Sequence, residues 1–185
     1  MSTYHHYERN NKSFAQLFAP HAAGMAKLHA LCFDESARWN TKSFEELLIQ
    51  NHVRAISVVN GSTVAGFIMI SIALDEAEIL TLAIHPEQRR KGYAKALIND
   101  CFEEYLGAQT TPPRITKMFL DVIETNIPAI TLYQSLGFSI ISKRPNYYSV
   151  NEGNEKKLVD GLVMSKTISS QSSSPSAFSS SITHS

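Results

Sequence analysis

The sequence predicts a mixed α/β fold, with one central β-sheet and helices on both faces. Three observations carry that prediction. Leu82 to Leu97 runs from an apolar strand through a basic, glycine-containing turn into an amphipathic helix. Met118 to Ile141 reads as strand, helix and strand again. Asn60-Gly61, the strongest hairpin signal in the chain, lies between two apolar strands.

The elements follow in order. Ala15 to Phe18 is predicted as a short first strand ended by Pro20. Ala22 to Phe33 reads as a helix, with Met25, Leu28 and Leu31 or Cys32 on one face. Ser43 is placed to cap a second helix, Phe44 to Gln50, with Glu46 completing a capping box. Ala55 to Val59 and Val64 to Ile72 are the hairpin strands. Asp75-Glu76 turns the chain into a strand from Glu78 to Ile84. Ala94, Leu97, Ile98, Cys101 and Tyr105 repeat at the spacing of a helix packed on a sheet. Thr111-Pro112-Pro113 is a loop before a strand from Ile115 to Ile123. Pro128 suits the first turn of a helix carrying Ala129, Leu132, Tyr133 and Leu136, and Gly137 falls at its C-cap. Phe138, Ile140 and Ile141 resume a strand, Asn151 to Lys156 is a polar turn, and Lys157 to Met164 closes the sheet.

A chain of 185 residues is long enough for one domain with a sizeable core. Seventeen basic and seventeen acidic side chains give a formal net charge of zero. That excludes a large basic field for nonspecific nucleic-acid binding. Two cysteines, Cys32 and Cys101, make no disulfide framework, so a reduced, cytoplasmic protein is expected. Cys101 falls on the apolar stripe of its helix and reads as a buried thiol. No apolar run approaches the roughly 20 residues of a membrane span, and no signal peptide is evident. The expected organisation is a flexible polar segment over 1–13, a single domain over 14–167, and a disordered serine-rich tail over 168–185. The His5-His6 pair is too small for a closed metal site, and no metal is expected.

The turn after Ile84 is a phosphate cradle. Arg89, Arg90, Lys91, Gly92, Tyr93 and Ala94 present successive N–H groups at a helix start. Those groups have no intrahelical partner, and the helix dipole is positive there, so an anion such as a pyrophosphate is the natural ligand. Gly92 and Ala94 are small enough for close approach to the backbone. The pattern is not a P-loop, because no G-x-x-x-x-G-K-[ST] is present.

The spacing R-x-x-G-x-A resembles the acyl-CoA pyrophosphate loop of the GNAT N-acetyltransferase superfamily. The string N-x-x-A-x-x-L-Y-x-x-L-G-F, from Asn126 to Phe138, is similar to that superfamily's second hallmark. The two lie in the family's order, about 30 residues apart, as a βαβ-scale unit allows. LDVIETN, LYQSLGF, KRPNYY and the closing DGLVM look like the ribosomal-protein-alanine N-acetyltransferase (RimI-type) family. Phe33, Trp39 and Phe44 agree loosely, with Arg38-Trp39-Asn40 replacing a Pro-Trp-Ser stretch. The likeness covers residues 15–167, most strongly 76–164.

This resemblance implies a sheet whose two central parallel strands splay apart, with acetyl-CoA as co-substrate in the gap. Leu82, Ala83 and Ile84 would bind the pantetheine arm and acetyl group through their backbone. Arg90 to Lys95 would hold the pyrophosphate, and Asn126 would touch the arm from the other side. Tyr133 is the candidate general acid, since a phenol of pKa about 10 is protonated at neutral pH. Asp121 stands where the resembled enzymes place a glutamate base, one methylene shorter; Glu78, Glu76 or a bridging water are the rivals for that role. Ile123 replaces a common arginine. Tyr147 and Tyr148 lie on the loop that helps shape the acceptor groove in that family.

The implied activity is transfer of acetyl to a protein N-terminal α-amine, with the alanine terminus of a small-subunit ribosomal protein as the family-typical acceptor. An α-amine has a pKa of about 8 against about 10.4 for lysine, so it asks less of its base. A small-molecule amine acceptor and a non-catalytic acyl-CoA-binding protein are the alternatives. The protein is expected to be a monomer or weak dimer, with no direct nucleic-acid or membrane partner.

Overall fold

In the computed structural model, residues 2–7, 14–61, 63–105, 115–152 and 155–168 are described. Seven strands form one sheet in the order β1-β2-β3-β4-β5-β7-β6. β2 (Val53–Asn60) and β3 (Thr63–Ala73) are the expected hairpin, with Asn60 opposite Thr63 and Gly61 at φ +62°. That left-handed backbone is what the Asn-Gly signal anticipates. β4 (Glu76–Ile84) runs antiparallel to β3 and parallel to β5 (Lys117–Ile123). The long β6 (Ser139–Glu152) and β7 (Glu155–Thr167) close the other side, with β7 beside β5.

The start of the chain differs from the sequence reading. Ala15 to Phe18 is no strand; it belongs to the first turns of helix α1 (Phe14–Cys32), and Pro20 lies inside that helix. A four-residue apolar stretch fits either period, and the alanines at 15, 19, 22, 23 and 26 favour helix. The first strand is β1 (Ser2–Tyr7), within the segment expected to be flexible. It pairs antiparallel with β2, so that His5 lies opposite Ser57 and His6 opposite Ile56. Tyr and Thr favour strands, but this stretch has no apolar alternation to betray it. Residues 8–13 and 169–185 lie outside the described residues. Ile168, read as the first tail residue, donates its N–H to Thr116 O at 2.8 Å and packs against the core.

Helix α2 (Thr41–Leu48) is capped by Asn40, not Ser43: Asn40 Oδ1 accepts from Ser43 N at 2.9 Å. Asparagine three residues upstream satisfies an earlier orphan donor, so the helix starts three residues sooner and ends at Leu48. Helices α3 (Tyr93–Tyr105) and α4 (Ile127–Ser135) are those the periodicity predicts. Asn126 caps α4 by accepting from Ala129 N at 3.2 Å.

Two cores sit on the two faces of the sheet. α1 and α2 bury Met25, Leu28, Phe44 and Leu48 against Phe67, Met69 and Ala83. α3 and α4 bury Leu97, Ile98, Cys101, Ile130 and Tyr133 against Ile68, Ile70, Met118, Leu120 and Val122. Each such side chain contributes about 1.5–3 kcal/mol of transfer free energy before entropy is counted. Alternation then fixes the remaining side chains. Met118, Leu120 and Val122 face α3 and α4, so Phe119, Asp121 and Ile123 point to the opposite face. Ala77 and Ile79 do the same on β4 and leave Glu78 on the face that carries Asp121.

The sheet opens at its centre. The β4–β5 ladder runs from Glu76–Lys117 to Ile79–Leu120 and stops there. Both strands continue, β4 to Ile84 and β5 to Ile123. The register of β3 shifts at this point, with Met69 opposite Thr81 but Ile70 opposite Ile79. Leu80 is therefore a bulge residue, and a bulge bends its strand and ends pairing locally. The splay expected from the family resemblance is present, with its cause in β4.

Candidate active site

Beyond Ile79 the β4 edge facing β5 has no strand partner. Leu82, Ala83 and Ile84 lie on this edge. The carbonyl of Ile84 is engaged by Cys32 Sγ and Arg89 Nε, both at 3.3 Å. The loop that follows takes two left-handed conformations, Arg90 at φ +61° and Gly92 at φ +85°. A Cβ at Gly92 would have nothing within 4 Å, so the space over that backbone is open. α3 begins at the next residue, with Ala96 N donating to Gly92 O at 3.0 Å. The opening N–H groups of α3 have no carbonyl within the helix. Among the described residues, none of Arg89, Arg90, Lys91 or Lys95 is in a salt bridge. An open glycine, helix-start N–H groups and cations outside the described ion pairs fit a pyrophosphate.

Tyr133 lies on α4, in the core packed on the α3–α4 face of the sheet. It is 7 % exposed and meets Phe138 edge to face at 5.7 Å between centroids. Burial, and then the neighbouring Tyr148, push its phenol well above the ordinary tyrosine range, so it stays protonated. Asn126, expected to touch the cofactor arm, uses its side-chain oxygen to cap α4 and so sets the helix that carries Tyr133.

The acidic residues occupy the other face. Asp121 Oδ2 accepts from Arg144 Nη1 at 2.9 Å. Asp121 Oδ1 is buried and has no hydrogen-bond partner among the described residues, as is Thr81 Oγ1 next to the bulge. Such orphaned atoms are rare in native folds and here flank the gap. Glu78 is raised above its ordinary value by burial and by the charge of Asp121, with Arg144 acting in the opposite direction. Glu124 is elsewhere: with Asp160 it holds Lys143, at 2.8 and 2.7 Å. Glu76 heads β4, opposite Lys117.

The sequence reading missed Arg144 and Gly161. Arg144 lies 3.4 Å from the centroid of the Tyr147 ring. Gly161, opposite Arg144 on β7, lies under Tyr147 and Tyr148: a Cβ there would be 3.2 Å from Tyr147 Cδ1 and 3.0 Å from Tyr148 Cε2. Tyr148 is pushed up to about 12 by burial, then Asp121 and Tyr147, against the lowering by Arg144. A bulge in β6 between Arg144 and Tyr148 makes this arrangement, with Asn146 at φ +53° and its N–H on Asp160 Oδ1 at 2.9 Å. KRPNYY sets a cation before two aromatics, but only the fold brings Arg144 to Asp121. A cavity of about 310 Å³ lies beside Asn60, His85 and Glu87, and none of Glu78, Asp121 or Tyr133 lines it. Among the described residues no group of three or more His, Cys, Asp or Glu is placed to hold a metal.

Comparison with known proteins bears on this geometry. The acetyltransferase (GNAT) family pattern matches residues 23–138, which include the splay, the phosphate loop and α4. The chain belongs to the GNAT acetyltransferase family. The [ribosomal protein bS18]-alanine N-acetyltransferase of Escherichia coli K12 is 30% identical over 127 residues, 69% of this chain and 82% of that protein. The crystal structure of the E. coli ribosomal-protein-S18-alanine N-acetyltransferase superposes with a TM-score of 0.72 at 22% identity, over 96% of this chain and 100% of that one. Arabidopsis thaliana NAA60 in complex with acetyl-CoA gives 0.66 at 20% identity, over 91% and 99%. At such identities the two structures speak to the fold alone. This GNAT protein is an acetyl-CoA-dependent N-acetyltransferase, and acetyl-CoA is its co-substrate.

Proposed function

We propose that the chain acetylates the N-terminal α-amine of a protein, with the alanine terminus of a small-subunit ribosomal protein as the acceptor. The observation that carries this is its 30% identity to the E. coli bS18-alanine acetyltransferase across 82% of that enzyme. The setting is cytoplasmic; both cysteines are free thiols, as a reducing compartment favours.

Acetyl-CoA, when bound, supplies the thioester acetyl group. The backbone of Leu82, Ala83 and Ile84 holds its pantetheine arm, and Arg90, Lys91, Gly92, Tyr93, Ala94 and Lys95 hold its pyrophosphate, with Asn126 on the far side of the gap. Tyr133 donates the proton that the leaving sulfur needs, a role its protonated, buried phenol suits. One carboxylate of the Glu78 and Asp121 pair, on the opposite face of the same splayed strands, receives the proton that the attacking neutral amine loses. An α-amine of pKa about 8 is already partly neutral, so a single nearby carboxylate suffices.

A peptide panel with acetyl-CoA tests the reading. It varies the first residues and includes free lysine and polyamines. Peptides beginning with alanine should turn over fastest. Preferential acetylation of a polyamine would replace the protein acceptor with a small-molecule one, and binding of acetyl-CoA without any transfer would make the chain a non-catalytic sensor.

A further inference from the structure

The site holds two carboxylates on one face of the splay, and they are not equivalent. Asp121 gives one oxygen to Arg144 at 2.9 Å, and its other oxygen is buried. Arg144 is itself fixed from the opposite side by the Tyr147 ring at 3.4 Å, and the ring rests over Gly161, where there is no side chain. Glu78 has no such cation bonded to it among the described ion pairs and lies one diagonal step from Asp121 across the β4–β5 pair, beside Phe119. We propose that Arg144 is a positioning residue that withdraws Asp121 from proton transfer, leaving Glu78 as the base and Asp121 as its fixed anionic neighbour. This rests on the N-acetyltransferase reading above and assigns work within that site.

An ion-paired carboxylate holds its charge and is a poor proton acceptor, because protonation would leave the guanidinium uncompensated. Asp121 is such a carboxylate, bonded to Arg144 at 2.9 Å. Its charge raises the proton affinity of Glu78, as burial of Glu78 also does. A base with affinity moved toward neutrality is the better catalyst. The surrounding groups do not disturb this division. From β5 come Asp121 and, on the other side of Phe119 and opposite Glu76, Lys117; from β6 come Arg144 and Tyr148, the latter with its phenol held protonated. From β3 the register partner is the uncharged Ser71, and His29 on α1 is kept neutral by burial. Glu76, two residues earlier on β4, is opposite Lys117.

The proton balance is complete. The neutral α-amine forms the C–N bond as the thioester C–S bond breaks, and Glu78 takes the one proton that the nitrogen gives up. The sulfur leaves as a thiol with the proton of Tyr133. The nitrogen keeps its other proton as the amide N–H, and the proton on Glu78 passes through solvent to restore Tyr133.

The test is the pH dependence of kcat/KM for an alanine-initiated peptide, with melting temperatures to confirm folding. For wild type, log kcat/KM should fall with slope one below the amine's pKa and steepen toward two where Glu78 protonates. Asp121→Asn should move that steepening to lower pH, because the neighbouring anion is gone. Arg144→Met should move it to higher pH, because the lowering cation is gone. Arg144→Lys should restore it in part. Glu78→Gln should remove it and lower kcat by about 10²-fold. Removal of the steepening by Asp121→Asn, with Glu78→Gln still showing it, would make Asp121 the base and overturn the proposal. So would an Arg144→Met enzyme whose KM rises while its pH profile stays in place, since Arg144 would then only bind acceptor. If wild type acetylates a polyamine and not the peptide, the acceptor reading fails, and the same variants assayed on the polyamine still decide the roles of Arg144 and Glu78.

Discussion

Gly161 on β7 pairs with Arg144, yet it packs under Tyr148, the partner of Val159: a Cβ at Gly161 would lie 3.0 Å from Tyr148 Cε2. That contact is tighter than ordinary packing permits, yet the obstacle is a ring edge that can shift. Gly161→Ala should therefore fold with little loss of melting temperature. The displaced Tyr147 and Tyr148 rings should disturb Arg144, and with it the carboxylates. Small misplacements at a reacting centre cost up to about 10²-fold. The expected result is a drop in kcat/KM for the peptide with acetyl-CoA affinity unchanged by calorimetry. Wild-type kinetics would show that the stacked tyrosines do not position the site.

Gly92→Glu should abolish acetyl-CoA binding without unfolding the domain. The substitution adds an anion where phosphates belong and forces a side chain into φ +85°, although no atom lies within 4 Å to clash with its Cβ. Unchanged affinity in a folded variant would move the phosphate site elsewhere.

The phosphate loop and the α4 motif were legible because each joins an unusual residue choice to a change of period: Gly92 opening a helix, and Asn126 and Gly137 bracketing one. The splay was expected from the family resemblance, but its cause was not readable. The bulge at Leu80 is set by pairing with β3, and nothing in EILTLAI marks the extra residue. β1 was missed because pairing with β2, not its own apolar pattern, makes Ser2–Tyr7 a strand. Motif resemblance marks Asp121 and Tyr133 as candidate site residues. It does not mark Arg144, because that residue's partner lies 23 residues away and only the fold brings the two within 2.9 Å.

Tyr133→Phe should lower kcat by about 10²-fold, as loss of a general acid does, and leave acetyl-CoA affinity nearly unchanged. Burial raises the phenol's pKa, so its proton is retained as pH rises past the ordinary tyrosine value of 10.0. The wild-type kcat should therefore show no loss between pH 9 and about 10 attributable to this residue. A near-wild-type kcat in the variant would leave Tyr133 only its packing against Phe138.

His29 should make the fold sensitive to acid. It is 2 % exposed, stacks on Phe33 at 4.0 Å and accepts from Trp39 N at 3.3 Å. Burial lowers its pKa from 6.5 to about 4. Above 6.5 it is neutral in both states and costs nothing. As pH falls from 6.5 toward 4 the unfolded chain takes a proton that the folded chain refuses, so stability declines, by up to about 3 kcal/mol. Denaturant melts at pH 7 and pH 4.5 should show a smaller difference for His29→Gln than for wild type. An equal difference would assign the acid sensitivity to other groups.

The acceptor's own acidity gives the last prediction. An α-amine titrates at about pH 8 and a lysine side chain at about 10.4. On a peptide beginning with free alanine, the rate at subsaturating peptide should climb with pH and level off near the α-amine's pKa. An Nα-blocked peptide with one internal lysine presents an amine that is almost wholly charged at pH 8, with roughly a hundredfold less of the neutral form. It must also approach as a branch from a continuous chain, past the Arg144–Tyr147 stack and the Ser36 hydroxyl that bonds Ser149 O at 3.3 Å. Both effects act in the same direction, so the lysine peptide should react far more slowly at pH 8 and still lag at pH 10, where charge alone would have narrowed the gap. Side-by-side initial rates across that range, with the product's acetylated nitrogen located by mass spectrometry, separate the two contributions. Faster turnover of the internal lysine at any pH in the range would contradict N-terminal specificity, and equal rates at pH 10 would reduce that specificity to amine acidity with no contribution from the shape of the groove.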